Sequence, residues 1–488
     1  MSGFSGTVAL VAVAYLAACA GIATWATRRT TSADAFFLAG RGIGIWALAI
    51  AAMASSLSGF AFIGGPGLVY AHGTGAVFIV LPAAITATLT AWTVGQRLRL
   101  LAEVRGVVTI PEAVGVRYRS PGLQRLAGIA IVVASVGYIA TNFLAMGLIL
   151  EAVLGLDRAT AILIGAATVV AYSAGGGMLA GIYTDLFQGL VMAVASVLVF
   201  IAAAASGGGL AEQSRSILAA DPGWFGPWGN YTPVAALSFF FVFGLGTLGQ
   251  PHLLHKFYML RDPSRLRWYP AIMTGAMLVT LLLFVGVGIA IKAAVVTGRV
   301  PALARPDDAT TTFLRTGTPV FLAALVMSGV VAAIMSTVSA FLNISAAALT
   351  LDIPGRPSRD ALRWGRIATV IVALAAIVLA LGTTRLVALL GVFGWGLFAS
   401  SLVPALAIGL IWEGATRAGA FASMGIAVVG TLLLETLAHY KVMTLPTGLT
   451  AAGVMLVVSL LMFLGVSFLT RGSAAGALDA DVRMVMRR

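Results

Sequence analysis

The stretch SLSGFAFIGGPG, residues 56–67, decides the fold because it interrupts an apolar run with four glycines and a proline. The stretch FGLGTLGQPH, residues 243–252, carries the same kind of interruption. In lipid every backbone N–H and C=O group needs a partner, so a broken helix is tolerated only where protein, water or a solute satisfies the freed groups. Each stretch taken alone also fits a kinked packing helix. Together they indicate two broken membrane helices that meet at a solute site.

The composition places the rest of the chain in a membrane as well. Of its 488 residues 60% are apolar and 10% are charged, whereas soluble domains are about half apolar and about a quarter charged. This excludes a secreted, cytosolic or disordered protein. A membrane helix needs about 20 apolar residues. Thirteen such stretches are predicted, at approximately 6–26, 43–71, 76–96, 126–153, 159–174, 180–205, 233–254, 270–291, 318–350, 364–383, 386–411, 418–438 and 446–469.

The two interruptions fall in the second and seventh stretches, five apart. Stretches 2–6 and 7–11 therefore form two groups of five. Each group begins with a broken helix, in opposite membrane orientations, which is typical of an inverted repeat. The sequence predicts an all-α polytopic membrane protein. Its predicted regions are a first span and loop (1–42), a first repeat (43–205), an external loop (206–232), a second repeat (233–411) and two peripheral spans with a tail (412–488).

The formal charge of +13 reports topology. If the N-terminus lies outside, 22 of the 30 Lys and Arg residues, Lys256 among them, fall on the cytoplasmic side. The positive-inside rule therefore favours an external N-terminus and a cytoplasmic C-terminus. The basic residues sit at helix ends and are not interleaved with aromatic residues, so no nucleic-acid partner is expected.

Asp185 is the clearest ionisable residue inside a predicted span. A carboxylate at this depth requires a cation, a proton or hydrogen-bond donors. The alternative interpretation is a residue near the helix start, solvated from the cytoplasm or bonded to nearby hydroxyls. The histidines at 72, 252, 255 and 439 fall near span ends and are expected at the membrane interface.

The ninth span carries AAIMSTVSAFLNIS, residues 332–345. Ala333, Ser336 and Thr337 stand at i, i+3 and i+4, so they share one helix face. Desolvated Na⁺ is a hard cation that needs several oxygen ligands, which hydroxyls and freed carbonyls can supply. The alternative is that these hydroxyls bond back to their own helix or to a neighbouring one.

Four motifs together carry a family resemblance: SGFAFIGGPG (58–67), GGGMLAGIYTDLFQG (175–189), GTLGQPHLLHKF (246–257) and AAIMSTVSAFLNIS. In combination they resemble the sodium:solute symporter family, over about residues 33–355. The resemblance implies about 13 transmembrane helices around an inverted-repeat core of the leucine-transporter type. It also implies a transporter of the bacterial cytoplasmic membrane and not an enzyme.

The resemblance further implies Na⁺ as the coupling ion, bound between the second and ninth spans. The implied ligands are the carbonyls of Ala54, Leu57 and Ala333 and the hydroxyls of Ser336 and Thr337. Asp185 matches an aspartate that helps to hold a second sodium in some members, and it is a possible second cation site. Ser56 stands where the proline transporters have an aspartate, so any role of that carboxylate is lost.

The residues of the implied substrate pocket match different branches of the family. Its expected members are Ser58, Tyr138, Phe243, Thr247 and Gln250. Thr247 is similar to the acetate and monocarboxylate transporters, whereas Gln250, followed by proline and histidine, is similar to the proline branch. Such a pocket suits a small amino acid such as proline, or a small carboxylate, better than a sugar.

The sequence thus predicts a sodium-coupled symporter that works by alternating access. Its expected partners are a small solute, Na⁺ and the lipid bilayer, and it is expected to be a monomer or a weak homo-oligomer. One alternative is coupling to H⁺ with Asp185 as the carrier. Another is a non-transporting sensor, which the tail of about 17 residues after Arg471 does not favour. No HExxH motif or acidic metal motif indicates an enzyme.

Overall fold

The structure, a computed structural model, describes residues 3–29, 38–79, 81–355, 360–383, 387–443, 445–446, 448–473 and 478–488. Within these ranges the chain is almost wholly helical, and an isolated bridge pairs Ile43 with Leu260. The helices of the first half are α1 (Gly3–Arg29), α2 (Ile45–Ser56), α3 (Gly65–His72), α4 (Leu81–Leu89), α5 (Gln96–Arg105), α6 (Ile110–Tyr118), α7 (Pro121–Leu154), α8 (Arg158–Ala205) and α9 (Leu210–Ala220). Those of the second half are α10 (Pro233–Gly246), α11 (Pro251–Phe257), α12 (Tyr269–Val296), α13 (Ala309–Thr316), α14 (Val320–Ala347), α15 (Ala361–Gly382), α16 (Val387–Leu402), α17 (Arg417–His439), α18 (Ala451–Leu469) and α19 (Ala480–Met486).

Eleven helices in the described part of the chain are long and apolar enough to cross a membrane. Two shorter apolar helices, Ile45–Ser56 and Arg158–Ala171, accompany them. The second of these is the start of α8, which bends at Gly177, where φ is 59° and ψ is −164°. A glycine adopts these angles without steric cost. The predicted all-α polytopic fold is confirmed, and the predicted count of thirteen spans is approximate.

The first predicted break lies where it was expected. Helix α2 ends at Ser56, and Leu57 leaves the helical region with φ −96° and ψ 81°. A π-helical turn, Phe60–Gly64, then leads into α3. Such wide turns lack the regular i→i−4 bonding and are frequent at functional sites. The regular helical hydrogen bonding of α2 therefore stops at this break.

The second break has a different local form. Helix α10 ends at Gly246, a tight turn covers Thr247–Gly249, and Gln250 is extended with φ −77° and ψ 104°. Pro251 opens α11, a position that suits proline because its missing N–H would lack a helical partner there. Both broken helices predicted from glycine and proline are thus confirmed.

The core helices approach closely because small residues face one another. At Gly189 of α8, a Cβ atom would lie 2.8 Å from Ile50 Cγ2 and 3.3 Å from Ala54 Cβ. Helix α14 packs along α8 and also contacts α2, while α16 packs on α7. Close packing through small residues is the usual way membrane helices associate. It brings the first break, α8 and α14 into one layer.

The C-terminal helix α19 is fastened to the rest of the chain by ion pairs. Arg105 pairs with Asp479 and Asp481 at 2.6 and 2.5 Å, and Arg487 pairs with Glu413 at 2.9 Å. Side-chain hydrogen bonds from Arg105 and Arg487 hold the pKa of Asp481 and of Glu413 below their ordinary values. The C-terminal segment therefore lies beside Arg105, the last residue of α5.

We expect α19 to detach at acid pH. A carboxylate whose folded pKa is lowered stabilises the folded state above its unfolded pKa, and this contribution is lost as pH falls through the folded pKa. The hydrogen-exchange protection of α19, which is its exchange rate relative to that of an unstructured peptide at the same pH, should therefore be high at pH 7 and fall below about pH 4, the ordinary range of these carboxyl groups. Exchange in α18 serves as the internal control, and equal protection of α19 at pH 7 and pH 3 would contradict the expectation.

Candidate sodium and solute site

The first break leaves the backbone carbonyls at the end of α2, those of Ala54 and Ser55, to donors outside their own helix. In a continuous helix the carbonyl of Ser55 would accept from the N–H of Gly59, four residues on. Here the N–H of Gly59 donates instead to Asn142 Oδ1 at 3.0 Å, and the N–H of Phe60 donates to the Ser58 hydroxyl at 3.2 Å. The carbonyls at the end of α2 are therefore left to other donors.

Helix α14 supplies these donors. The Ser336 hydroxyl lies 2.9 Å from the Ala54 carbonyl and 3.1 Å from the Ala333 carbonyl. The Thr337 hydroxyl donates to the Ser55 carbonyl at 3.1 Å. Ser336 and Thr337 are both fully buried. Five oxygen atoms of two helices thus converge in a buried position, which is the kind of ligand set a desolvated alkali cation requires.

Most of the predicted sodium ligands belong to this oxygen cluster. Ala54, Ala333, Ser336 and Thr337 are brought together, and the sequence prediction missed the carbonyl of Ser55. Leu57 lies at the break, where its own N–H still donates to the Met53 carbonyl at 3.1 Å. The oxygen cluster thus contains four of the five predicted residues together with Ser55. Sodium binding by this cluster, and the part of Leu57 in it, stay predictions.

The predicted solute residues lie around a group of three aromatic side chains, Tyr138, Phe243 and Trp395, which is called the cage below. The hydroxyls of Ser58 and Tyr138 lie 3.3 Å apart. Phe243 stacks on Trp395 with ring centroids 5.3 Å apart, and Tyr138 lies 6.4 Å from the same indole ring. Gln250 donates to the Trp395 carbonyl at 3.3 Å. Trp395 of α16 therefore sits at the centre of the predicted pocket, although the sequence did not identify it.

Thr247 behaves differently from the other predicted members. Its hydroxyl donates to the Phe243 carbonyl at 2.9 Å, within its own helix turn. A hydroxyl used in this way satisfies the backbone at the break. The structure thus gives Thr247 a local role in the second break, and a contact with solute stays a prediction.

Several polar atoms of the cage are buried and have no hydrogen-bond partner among the described residues. They are Gln250 Oε1, Trp395 Nε1 and both ring nitrogens of His252. His252 is 2% exposed and lies against Phe341 with ring centroids 4.3 Å apart. An unsatisfied buried polar group costs about 1–3 kcal/mol, so each gains from a partner. The cage therefore offers both donors and acceptors to a bound molecule.

His252 and His255, predicted near span ends at the membrane interface, are both buried inside the protein, with 2% and 3% of their surface exposed. Their depth in the membrane stays a prediction. His439, by contrast, is exposed at the end of α17, and His72 is half-buried and stacks on Tyr231. A histidine directly after the Gln250-Pro251 pair was the available signal, since residues next to a break line the site that the break serves.

Asp185 lies next to the oxygen cluster but is already paired. Its Oδ2 atom lies 2.9 Å from Lys256 Nζ and 3.0 Å from the Ser55 hydroxyl. The side chains of Lys256 and Asp185 are 5% and 2% exposed. Lys256, counted from the sequence among the basic residues of the cytoplasmic side, thus lies buried in an ion pair, and its side of the membrane stays a prediction. Its ammonium group stands where the possible second cation at Asp185 was expected.

The chain is similar to known proteins over most of its length. The sequence model of the Sodium:solute symporter family matches residues 36–430. A sodium/pantothenate symporter of Escherichia coli (strain K12) is 29% identical, over 97% of this chain and 99% of that protein. A high-affinity proline transporter of Bacillus subtilis (strain 168) is 29% identical over 83% of this chain and 87% of that protein.

Solved structures show the same fold. A Na⁺-coupled sialic acid symporter in a substrate-bound outward-open state superposes with a TM-score of 0.77 at 20% identity, covering 95% of this chain and 98% of that one. A nucleobase-cation symporter in a closed conformation gives 0.55 at 15% identity. The likeness shows that this chain shares the fold of these transporters, with the leucine-transporter architecture. Because its family model covers most of the sequence, this chain belongs to the sodium:solute symporter family.

Proposed function

We propose that this chain imports a small organic solute, an amino acid such as proline or a small carboxylate, together with Na⁺ by alternating access. The observation that carries the proposal is the convergence of the Ser336 and Thr337 hydroxyls on the carbonyls of Ala54 and Ser55. The membrane potential contributes about 2.3 kcal/mol per charge per 100 mV, so one sodium ion supports useful accumulation of a neutral solute.

The unpartnered atoms of the cage support a solute with both acceptor and donor groups. Trp395 Nε1 is a donor, Gln250 Oε1 is an acceptor, and the His252 ring supplies either function. The ammonium of Lys256 is committed to Asp185. A carboxylate in the cage would therefore be held by the indole N–H, by freed backbone amides or by the bound sodium ion. Rings of Tyr138 and Phe243 favour a solute with a compact apolar part.

A thermal-shift screen tests this proposal. Amino acids and small carboxylates, including proline and pantothenate, are added to the purified protein in Na⁺ and in K⁺ buffers. A true solute should raise the melting temperature more in Na⁺ than in K⁺, because a ligand that binds only the folded protein stabilises it by mass action and the two ligands favour each other. A solute that stabilises equally in both buffers would contradict sodium coupling.

Replacing Gly246 by alanine should abolish solute uptake while the protein still folds. A Cβ atom at this position would lie 2.6 Å from Trp395 Nε1, so the indole would have to move out of the cage. Displacement of a positioned binding group by about 1 Å costs roughly a hundredfold in rate. Sodium-driven uptake of the solute found in the screen measures the effect. Gly465→Ala in α18, where a Cβ atom meets nothing within 4 Å, is the matched control.

We also propose that the C-terminus is cytoplasmic, in the inner membrane of a bacterium. The support is the ion pair between Asp481 of α19 and Arg105 at the end of the arginine-rich helix α5, since basic residues at span ends are retained on the cytoplasmic side. A single cysteine introduced at Met484, which is exposed, should react with a membrane-impermeant maleimide only in inverted vesicles. Cys19 is buried and serves as the unreactive background.

Coupling to H⁺ is the second candidate, with Asp185 as the carrier. The geometry favours sodium, because the carboxylate of Asp185 is held by the ammonium of Lys256 and by the Ser55 hydroxyl. A pH jump in sodium-free medium should therefore drive no accumulation of solute. Accumulation under a pH gradient alone would replace sodium by the proton as the coupling ion.

A further inference from the structure

The Asp185–Lys256 pair joins three elements of the fold. Asp185 lies in α8, Lys256 lies in α11 after the second break, and Ser55 lies at the end of α2. The carboxylate Oδ2 atom contacts the ammonium of Lys256 at 2.9 Å and the Ser55 hydroxyl at 3.0 Å. Both charged side chains are buried, so the pair is shielded from solvent and from salt.

Ser55 links this pair directly to the oxygen cluster. Its hydroxyl contacts Asp185, while its backbone carbonyl accepts the hydroxyl of Thr337 at 3.1 Å. Ser55 thus connects the carboxylate of Asp185 to the proposed sodium ligands. A carboxylate at this distance is a natural ligand for a second hard cation, and the family resemblance had suggested one.

The residues present do not fit a second cation. The Oδ2 atom already contacts two donors, and one of them carries a full positive charge, while Oδ1 is buried with no hydrogen-bond partner among the described residues. The misfit of a second cation is therefore one of charge and not of free oxygen atoms. A sodium ion bound to the same carboxylate would lie beside the ammonium in a buried region, where like charges repel strongly. The carboxylate charge is already balanced by the lysine, so a second ion would leave a net buried positive charge.

We propose that the ammonium of Lys256 is a built-in cation that takes the place of a second sodium ion at Asp185. The chain then binds one sodium ion, at the Ser336 and Thr337 cluster. Because Lys256 is covalently part of α11, this charge is not released in each transport cycle. The proposal rests on the proposed sodium-coupled function. It also makes Lys256 a positioning residue that holds α11 against α2 and α8.

The number of bound sodium ions tests the proposal without knowledge of the solute. Equilibrium binding of ²²Na⁺ to the purified full chain counts ions per protein at saturation. The wild type should bind one ion. Lys256→Met removes the ammonium at nearly constant length and should raise the count to two, because the unpaired carboxylate then requires a cation. Lys256→Arg should keep one.

Two further variants make the test specific. The double variant Asp185→Asn, Lys256→Met removes both charges and should return the count to one. Lys292→Met is the matched control, because it breaks the Lys292–Asp221 pair at 3.1 Å, outside this site, and should leave the count at one.

The outcomes separate this proposal from the proposed function. Two ions on the wild type would overturn the built-in cation and leave sodium coupling intact. A count of one on a folded Lys256→Met protein would also overturn it. No bound sodium on the wild type would overturn sodium coupling itself. If Lys256→Met does not fold, the wild-type count and the charge-neutral double variant decide: one ion on each supports the proposal, and loss of an ion in the double variant overturns it.

Discussion

The double variant Ser336→Ala, Thr337→Ala is expected to lose sodium stimulation of solute uptake. Each hydroxyl is both a proposed ligand and the partner of a carbonyl freed at the first break, Ala54 for Ser336 and Ser55 for Thr337. Interactions of this kind with a charged group contribute about 1.5–3 kcal/mol each. Since 1.4 kcal/mol is tenfold in affinity, the sodium concentration for half-maximal uptake should rise by about a hundredfold or more.

A matched control lies on the same helix. Ser328 of α14 is buried, and its hydroxyl bonds back to the Ala324 carbonyl at 2.9 Å. Ser328→Ala removes the same group from the same helix without touching the oxygen cluster, so its sodium dependence should match the wild type. Wild-type sodium dependence in the Ser336, Thr337 variant would place the coupling ion elsewhere.

The second large effect is expected on stability, from breaking the buried ion pair. Asp185→Asn leaves the ammonium of Lys256 buried without its counter-ion. Lys256→Met likewise leaves the carboxylate of Asp185 buried without a positive partner. Removing one partner of a buried pair costs about 3–5 kcal/mol, whereas replacing both with neutral residues is often nearly neutral. Each single variant should therefore unfold at a clearly lower temperature than the double variant, measured in N-methylglucamine buffer.

Sodium provides the diagnostic comparison for these variants. Adding Na⁺ should restore much of the lost stability of Lys256→Met, since a sodium ion can then neutralise Asp185. It should not restore Asp185→Asn, where the unpaired group is itself a cation. Stability losses of the two single variants that simply add in the double variant would contradict a direct Asp185–Lys256 interaction.

The broken helices could be predicted from sequence because their cause is local. Glycine and proline carry their backbone preferences wherever they occur, so Pro66 and Pro251 mark the breaks before any packing is known. The i, i+3, i+4 spacing on the ninth span placed Ser336 and Thr337 on one face in the same way. That this face meets the end of α2 came from the family resemblance and not from the residues.

Lys256 and His252 could not be placed in the same way. A lysine near the end of an apolar stretch is typical of a topology signal, and only the folded structure reveals its partner Asp185, 71 positions earlier in the chain. Trp395 carried a signal that was overlooked. Glycines flank it at 394 and 396, and a Cβ atom at Gly394 would lie 3.0 Å from the Tyr138 side chain. Such spacing indicates a close approach between helices.

The central claim is that a sodium gradient drives solute uptake through the cluster at the first break. Its most direct test is uptake into proteoliposomes of the solute that the thermal screen identifies, with an inward Na⁺ gradient or an equal K⁺ gradient at the same membrane potential. Concentrative uptake in Na⁺, absent in K⁺ and lost in Ser336→Ala, Thr337→Ala, is the predicted result. Equal accumulation in K⁺ would contradict it.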